Sequence, residues 1–319
     1  MSVNKSIPSL RQLFASIVTL LSLCVFNFDV WAQRINESDI VMARGYIRVK
    51  DIHYAKPPND LLDVYYKKDL KGAPVMIYVH GGSWTGGDKA AMPASASAIT
   101  FFTEQNVVLV SANYRHSGAM PPQNEIHFPN QIQDIACCVA WVQRNIEKYG
   151  GDPNRIIIGG HSAGTQITSL IAYGNNEKNW LEGTEYNGDK MKFIGFIGWG
   201  GVYDWNFVNQ THPQIKYYLG DIYGPGKWDV SNPINYVSPG DPPGLFITGD
   251  RDDYVNIPNP EDGKNDTCSY RMDKALAKAG LYHQLVVVPG GKHADILILI
   301  NRKRELQAPV IDFIRKVTK

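Results

Sequence analysis

The stretch of this sequence best suited to covalent chemistry is Gly160-His161-Ser162-Ala163-Gly164. A serine with glycine two positions to either side can sit on a tight, strained turn with its hydroxyl pushed forward. Side chains at the two glycine positions would strike neighbouring backbone, so they must be absent. A helix starting directly after the serine offers a free backbone N–H, and the positive end of its dipole, to a developing oxyanion. The chemistry this suits is attack on a carbonyl, with Ser162 as nucleophile and the Ala163 N–H as one oxyanion donor.

Such a serine needs a base, a carboxylate and a second donor. His293, in Pro289-Gly290-Gly291-Lys292-His293-Ala294-Asp295, follows an apolar run and is read as the general base. His283 precedes that run and belongs at the opposite edge of any sheet containing it. A carboxylate must fix the histidine tautomer. Asp250, Asp252 and Asp253 all compete for that role in Gly249-Asp250-Arg251-Asp252-Asp253-Tyr254-Val255. Upstream lies His80-Gly81-Gly82-Ser83-Trp84, where glycines let the backbone approach a substrate. Gly81 or Gly82 is expected to supply the second oxyanion N–H, and His80 to hold the loop.

These residues need a scaffold that brings distant loops to one place. Apolar runs at 75–79, 107–111, 155–159, 193–197, 245–248 and 284–288 lack alternation, as strands buried on both faces do. Two earlier strands are expected at 46–54 and 61–66, parted by Pro57-Pro58-Asn59-Asp60. Helices are expected at 130–149, 165–173, 269–279 and 304–317. The first carries Ile132, Ile135, Ala136, Val139, Val142 and Ile146 at helical spacing and stops at Gly150-Gly151. The fold class is therefore α/β: a mostly parallel central sheet with helices on both faces. Active sites of such sheets lie at the carboxyl ends of the strands, which is where each motif falls. Residues 200–243 break the rhythm and are read as a small cap insertion over the site.

Composition narrows the partners. Formal net charge is +1 with no long charged run, which excludes a nucleic-acid partner. The first 32 residues read as a cleaved secretory signal peptide. Lys5 and Arg11 precede an uncharged run over 13–28, then Val30-Trp31-Ala32. The run is short and interrupted by Ser16, Thr19, Ser22 and Asn27, so no stable membrane anchor is expected. The remaining 33–319 is read as one catalytic domain, secreted or periplasmic. Its Cys137, Cys138 and Cys268 are an odd set, read as buried free thiols, with a bridge from one of the first two to Cys268 as the alternative. Asn36, Asn209 and Asn265 head glycosylation acceptor triplets that matter only in a eukaryotic source. No metal-ligand spacing and no nucleotide-binding motif occurs, so no cofactor and no metal are implied.

Taken together, the motifs resemble the α/β-hydrolase superfamily from about residue 63 onward. The likeness is closest to carboxylesterases, bacterial feruloyl or acetyl-xylan esterases, and arylformamidases. Gly87-Asp88-Lys89, Asn113-Tyr114-Arg115 and Gly150-Gly151-Asp152-Pro153 extend it beyond the motifs above. In relatives the catalytic aspartate stands three residues before a valine, which implies Asp252 here. This chain has Asn256 where many relatives have proline. The resemblance also implies a structural ion pair between Arg115 and Asp134.

The expected activity is hydrolysis of a carboxylic ester through a Ser162-His293-Asp252 triad and an acyl-enzyme. Short-chain or aromatic acyl groups, as on acetylated or feruloylated polysaccharide, fit an exported protein without a lipid-binding lid. Tyr203, Trp205, Tyr217, Tyr218, Tyr223 and Trp228 of the insertion are expected either to stack on sugar or aromatic rings or to pack the insertion on the core. The alternatives are an arylformamidase-like amide hydrolase and a non-catalytic secreted binding protein of the same fold. A prolyl-oligopeptidase-type peptidase is disfavoured by His161 before the nucleophile and by the lack of room for a propeller.

Overall fold

The computed structural model describes residues 40–43, 45–56, 60–90, 96–208, 212–255, 267–296 and 304–319. The expected signal peptide lies outside them, as do Asn36, Asn209 and Asn265. Residues 39–319 form one compact unit. Nine strands among the described residues make one sheet in the order β1-β2-β3-β5-β4-β6-β7-β8-β9. The first three are β1 (Ile40–Ala43), β2 (Tyr46–His53) and β3 (Leu61–Tyr66), which pair antiparallel with one another and onto β5 (Val108–Ala112). The rest run parallel: β4 (Ala73–Val79), β5, β6 (Gly151–His161), β7 (Gly195–Trp199), β8 (Gly244–Gly249) and β9 (His283–Val288).

The central apolar runs are strands because both sheet faces are covered there, whereas the edge strand β9 stays partly exposed, Val287 most of all. Val75, Ile77 and Val79 point into one core together with Ile135, Val139, Ile167, Leu170 and Met272. These come from α2 (Asn130–Asn145), α3 (Ala163–Gly174) and α5 (Cys268–Lys278). The alternate residues Met76 and Tyr78 point into the other core, with Ile99, Phe102, Val310 and Phe313 from α1 (Ala96–Glu104) and α6 (Arg304–Val317). Period-two geometry thus splits one apolar strand between two helical layers. The helix expected over 130–149 ends at Asn145 and continues as a 3₁₀ turn, Ile146–Tyr149, closed by left-handed Gly150.

Register aligns the motifs. Val79 of β4 pairs with Gly160 of β6, His161 with Trp199 of β7, and Gly249 of β8 with Val288 of β9. Ser162 and Gly200 follow directly, and Gly81, Asp252 and His293 lie on the loops just beyond these strand ends. All of them therefore emerge at one edge of the sheet.

The segment over 200–243 holds α4 (Pro213–Leu219) and several 3₁₀ turns between β7 and β8. Tyr203, Trp205, Tyr218 and Trp228 are buried in the same core as the sheet. The ring-stacking expectation therefore fails for these four side chains, which fasten the insertion down. Tyr217 and Tyr223 stay half-exposed. No helix among the described residues is long and apolar enough to cross a membrane. Cys137, Cys138 and Cys268 are free and buried, so the alternative of a disulfide is not realised.

Candidate active site

Ser162 links β6 to α3 with φ 54° and ψ −120°, a strained backbone for a residue other than glycine. Its N–H donates to the Trp199 carbonyl at 3.0 Å, and its own carbonyl accepts from Thr165 and Gln166. The glycines around it are obligatory. A Cβ on Gly164 would lie 2.2 Å from the Val79 carbonyl oxygen, and one on Gly160 2.6 Å from the same atom. The turn closes because nothing occupies those positions. Ala163 opens α3, where the first N–H groups of a helix have no intrahelical partner.

The Ser162 hydroxyl lies 2.8 Å from His293 Nε2. The other ring nitrogen, Nδ1, lies 3.0 and 2.9 Å from the two carboxylate oxygens of Asp252. Asp252 is buried, and it also accepts N–H groups of Tyr254 and Val255 at 3.2 and 3.4 Å. Asp250 and Asp253 are exposed, and Asp250 caps the Gly290 N–H instead. Of the three aspartates in this loop, Asp252 is thus the one bonded to the imidazole. A partly desolvated imidazole between a hydroxyl and a carboxylate can accept the serine proton and keep the resulting charge neutralised.

Backbone pairing sets Asp252 and His293 side by side. The Arg251 N–H donates to Gly291 O at 3.0 Å and the Asp250 N–H to Val288 O at 3.2 Å, which continues the β8–β9 ladder into both loops. A Cβ on Gly249 would sit 2.0 Å from Gly291 O. Glycine permits that approach.

The loop after β4 faces the serine. A Cβ on Gly81 would stand 3.1 Å from Ser162 Cβ and 2.8 Å from His161 Nδ1, so bare backbone borders Ser162. Gly82, at φ 119°, starts a turn in which its carbonyl accepts from Thr85 and Gly86. His80 is buried, stacked on Tyr114 at 4.5 Å, with Nδ1 donating to the Gly81 carbonyl at 2.7 Å. Burial pushes its pKa down to about 4, so it shapes the loop as a neutral ring. His283 sits at the start of β9 against Asp273, away from this edge.

Other contributors carry no sequence signal of their own. Gly200, at φ 53°, leaves room for Asp252 and His293: its Cβ would meet Asp252 Oδ2 and His293 Nδ1, both at 3.3 Å. Gln166 is fully buried. It accepts from Trp84 Nε1 at 3.1 Å and the Tyr218 hydroxyl at 2.9 Å, and donates to Ser231 O at 2.9 Å. One amide thereby ties α3 to the Gly81 loop and to the insertion. His161 Nε2 donates to the His293 carbonyl at 3.0 Å. These links depend on tertiary closeness, which no local spacing reports. Helix α4 did have a signal, Pro213 at its first turn.

Arg115 and Asp134 form the ion pair that the resemblance implies, at 2.6 Å, away from the serine. Among the described residues, no cluster of histidine, cysteine or acidic side chains could hold a metal ion.

Comparison with known proteins adds the lineage. The BD-FAE family model matches residues 62–263, a span that includes Gly81, Gly82, Ser162 and Asp252 and ends before His293. Esterase LipC of Mycobacterium tuberculosis is 30% identical over 229 residues, 67% of this chain and 53% of that protein. Esterase LipQ of the same organism is 29% identical over 282 residues, 84% of this chain and 62% of that protein. The chain therefore spans a half to three-fifths of the length of these curated relatives. Among solved structures, a truncated carbohydrate esterase from gut microbiota superposes with a TM-score of 0.70 at 24% identity, covering 89% of this chain and 99% of that one. An acetyl ester-xyloside bifunctional hydrolase from Caldicellulosiruptor lactoaceticus gives 0.63 at 18% identity, covering 89% and 94%. At such identities the superpositions speak for the fold. The chain is a member of the BD-FAE family, built on the α/β-hydrolase fold.

Proposed function

We propose that this protein hydrolyses carboxylic esters through Ser162, His293 and Asp252. The observation that carries the reading is the continuous hydrogen-bonded line from the Ser162 hydroxyl through His293 to buried Asp252. His293 takes the serine proton as Oγ attacks the ester carbonyl. Backbone N–H groups of the Gly81–Gly82 loop and of Ala163 hold the oxyanion. The protonated His293 then gives its proton to the departing alcohol, leaving an acyl-enzyme. A water activated by His293 releases the acid.

For substrate, we propose short or aromatic acyl groups, such as acetyl or feruloyl, carried by polysaccharide. Family membership and the carbohydrate-esterase neighbours support this choice. Export is part of the proposal and rests on the apolar leader over 13–28. A panel of nitrophenyl acetate, butyrate and decanoate, methyl ferulate, acetylated xylan and N-formylkynurenine tests the reading. Acetate or ferulate esters are expected to be cleaved fastest. Faster cleavage of decanoate would overturn the acyl assignment, and cleavage of N-formylkynurenine alone would replace the ester reading with an amide one. Recovery of the protein outside the cytoplasm, starting near residue 33, tests export.

A further inference from the structure

Four rings stand in a row across the active site. Their centroids are separated by 5.1 Å from His161 to His293, 4.9 Å from His293 to Tyr254 and 4.7 Å from Tyr254 to His212. They come from four places: the last residue of β6, the loop after β9, the loop after β8 and the insertion. The nucleophile–base–acid arrangement by itself requires neither His161 nor Tyr254. Yet both rings lie against His293.

The in-plane nitrogens of His293 are taken by Ser162 and Asp252. What remains is the rest of the ring, where rotation out of line and loss of solvation would both slow proton transfer. Tyr254 bears on each. Its ring, tilted 39° against the imidazole, limits rotation. Its electron-rich face attracts a cation within about 6 Å. Its backbone N–H also donates to Asp252. One residue thus touches both the His293 ring and the Asp252 carboxylate.

We infer that Tyr254 is a positioning residue for the general base: its ring keeps His293 in line between Ser162 and Asp252 and stabilises the imidazolium formed on attack. This rests on the esterase reading above. The groups facing His293 are the Asp252 carboxylate, the Ser162 hydroxyl, the His161 imidazole and the Tyr254 phenol. Burial and His293 itself push His161 down to about 4, and burial raises the Tyr254 phenol. The Tyr254 ring thus acts beside the Asp252 carboxylate that bonds Nδ1.

The test compares Tyr254→Phe with Tyr254→Leu in the full chain. Carbon-13 histidine NMR follows the His293 titration, with the resonance assigned by its loss in His293→Gln. Steady-state kinetics on nitrophenyl acetate run in parallel across pH. Tyr254→Phe is expected to keep the midpoint and to hold kcat within about threefold. Tyr254→Leu keeps an apolar side chain, though a smaller one, and removes the π face. Its midpoint is expected to fall by about half a pH unit or more, with kcat down about tenfold and KM within about twofold. If the leucine variant fails to fold, trifluorophenylalanine at position 254 preserves the shape while draining the ring face, and the same fall is expected. An unchanged midpoint in the leucine or fluorinated protein would overturn the inference. So would a raised KM with intact kcat, which would make Tyr254 a substrate-contacting wall. The titration is read in the resting protein. A shifted midpoint in a chain that cleaves no ester would therefore sink the esterase reading alone.

Discussion

The turn around Ser162 and the insertion between β7 and β8 border the same edge of the sheet, yet they are built on opposite terms. The turn is specified by what is missing: Gly160 and Gly164 have no side chain, and backbone from β4 fills the space. The insertion is specified by what is present, with Tyr203, Trp205, Tyr218 and Trp228 buried as its anchors. A glycine at fixed spacing reports a close backbone approach and therefore geometry. An aromatic residue reports only that a large ring needs cover, and the core and a ligand provide cover equally well.

The largest expected effect breaks the turn's chemistry and leaves its shape. Ser162→Ala should lose about 10⁴-fold or more in kcat with an unchanged melting temperature, because members of such a triad act as a unit. Asp252→Asn should lose about 10⁴-fold through the wrong histidine tautomer. Asp250→Asn and Asp253→Asn should stay within about twofold. Steady-state kinetics on nitrophenyl acetate decide all four. A Ser162→Ala protein that is folded and active would refute the chemistry.

The next effect concerns stability and separates the two regions. Trp205→Ala and Trp228→Ala should each cost about 3–5 kcal/mol in chemical denaturation, since each empties a buried site. Gly164→Ala should cost about 2–3 kcal/mol or prevent folding, through overpacking against Val79. Tyr217→Ala and Tyr223→Ala should cost less than about 1 kcal/mol, these rings being half-exposed. If one of these two instead raises KM on feruloyl or xylan esters, the insertion does touch substrate. The stacking role would then survive at its rim.

A further effect concerns the residue just before β3. The buried Asp60 carboxyl is pushed up to about 8 by burial and by nearby Asp134. The raised folded-state value means that the native protein holds this proton more tightly than the unfolded chain does. The associated stability is complete below about pH 4, the unfolded carboxyl value, and is lost as pH rises towards 8. Asp60→Asn mimics the protonated acid. It should match the parent near pH 4 and melt at higher temperature near pH 8. A parallel pair of melting curves across that range would remove Asp60 from the account.

Legibility followed the same division. The strand-turn-helix at Ser162 could be read from two glycines, and the sheet from apolar runs too short for helices. Helix α1 went unread because its Ala-Ser-Ala start gives weak amphipathic contrast, and α4 because seven residues within an aromatic stretch give little periodicity. The choice of Asp252 among three aspartates is what the family resemblance implies, whereas Gly200 and Gln166 have no signal. Their parts are set by strands that meet only when the sheet is assembled. Their contacts became visible with the register of β6, β7, β8 and β9.

The central claim is that Ser162 is acylated with His293 as its base. The direct measurement is mass spectrometry of the intact chain and its peptides after brief exposure to a fluorophosphonate and, separately, to nitrophenyl acetate under acid quench. The account predicts one adduct, on the peptide containing Ser162, absent from Ser162→Ala and strongly slowed in His293→Gln. An adduct on another residue, or full ester turnover by a Ser162→Ala protein that never becomes labelled, would contradict it.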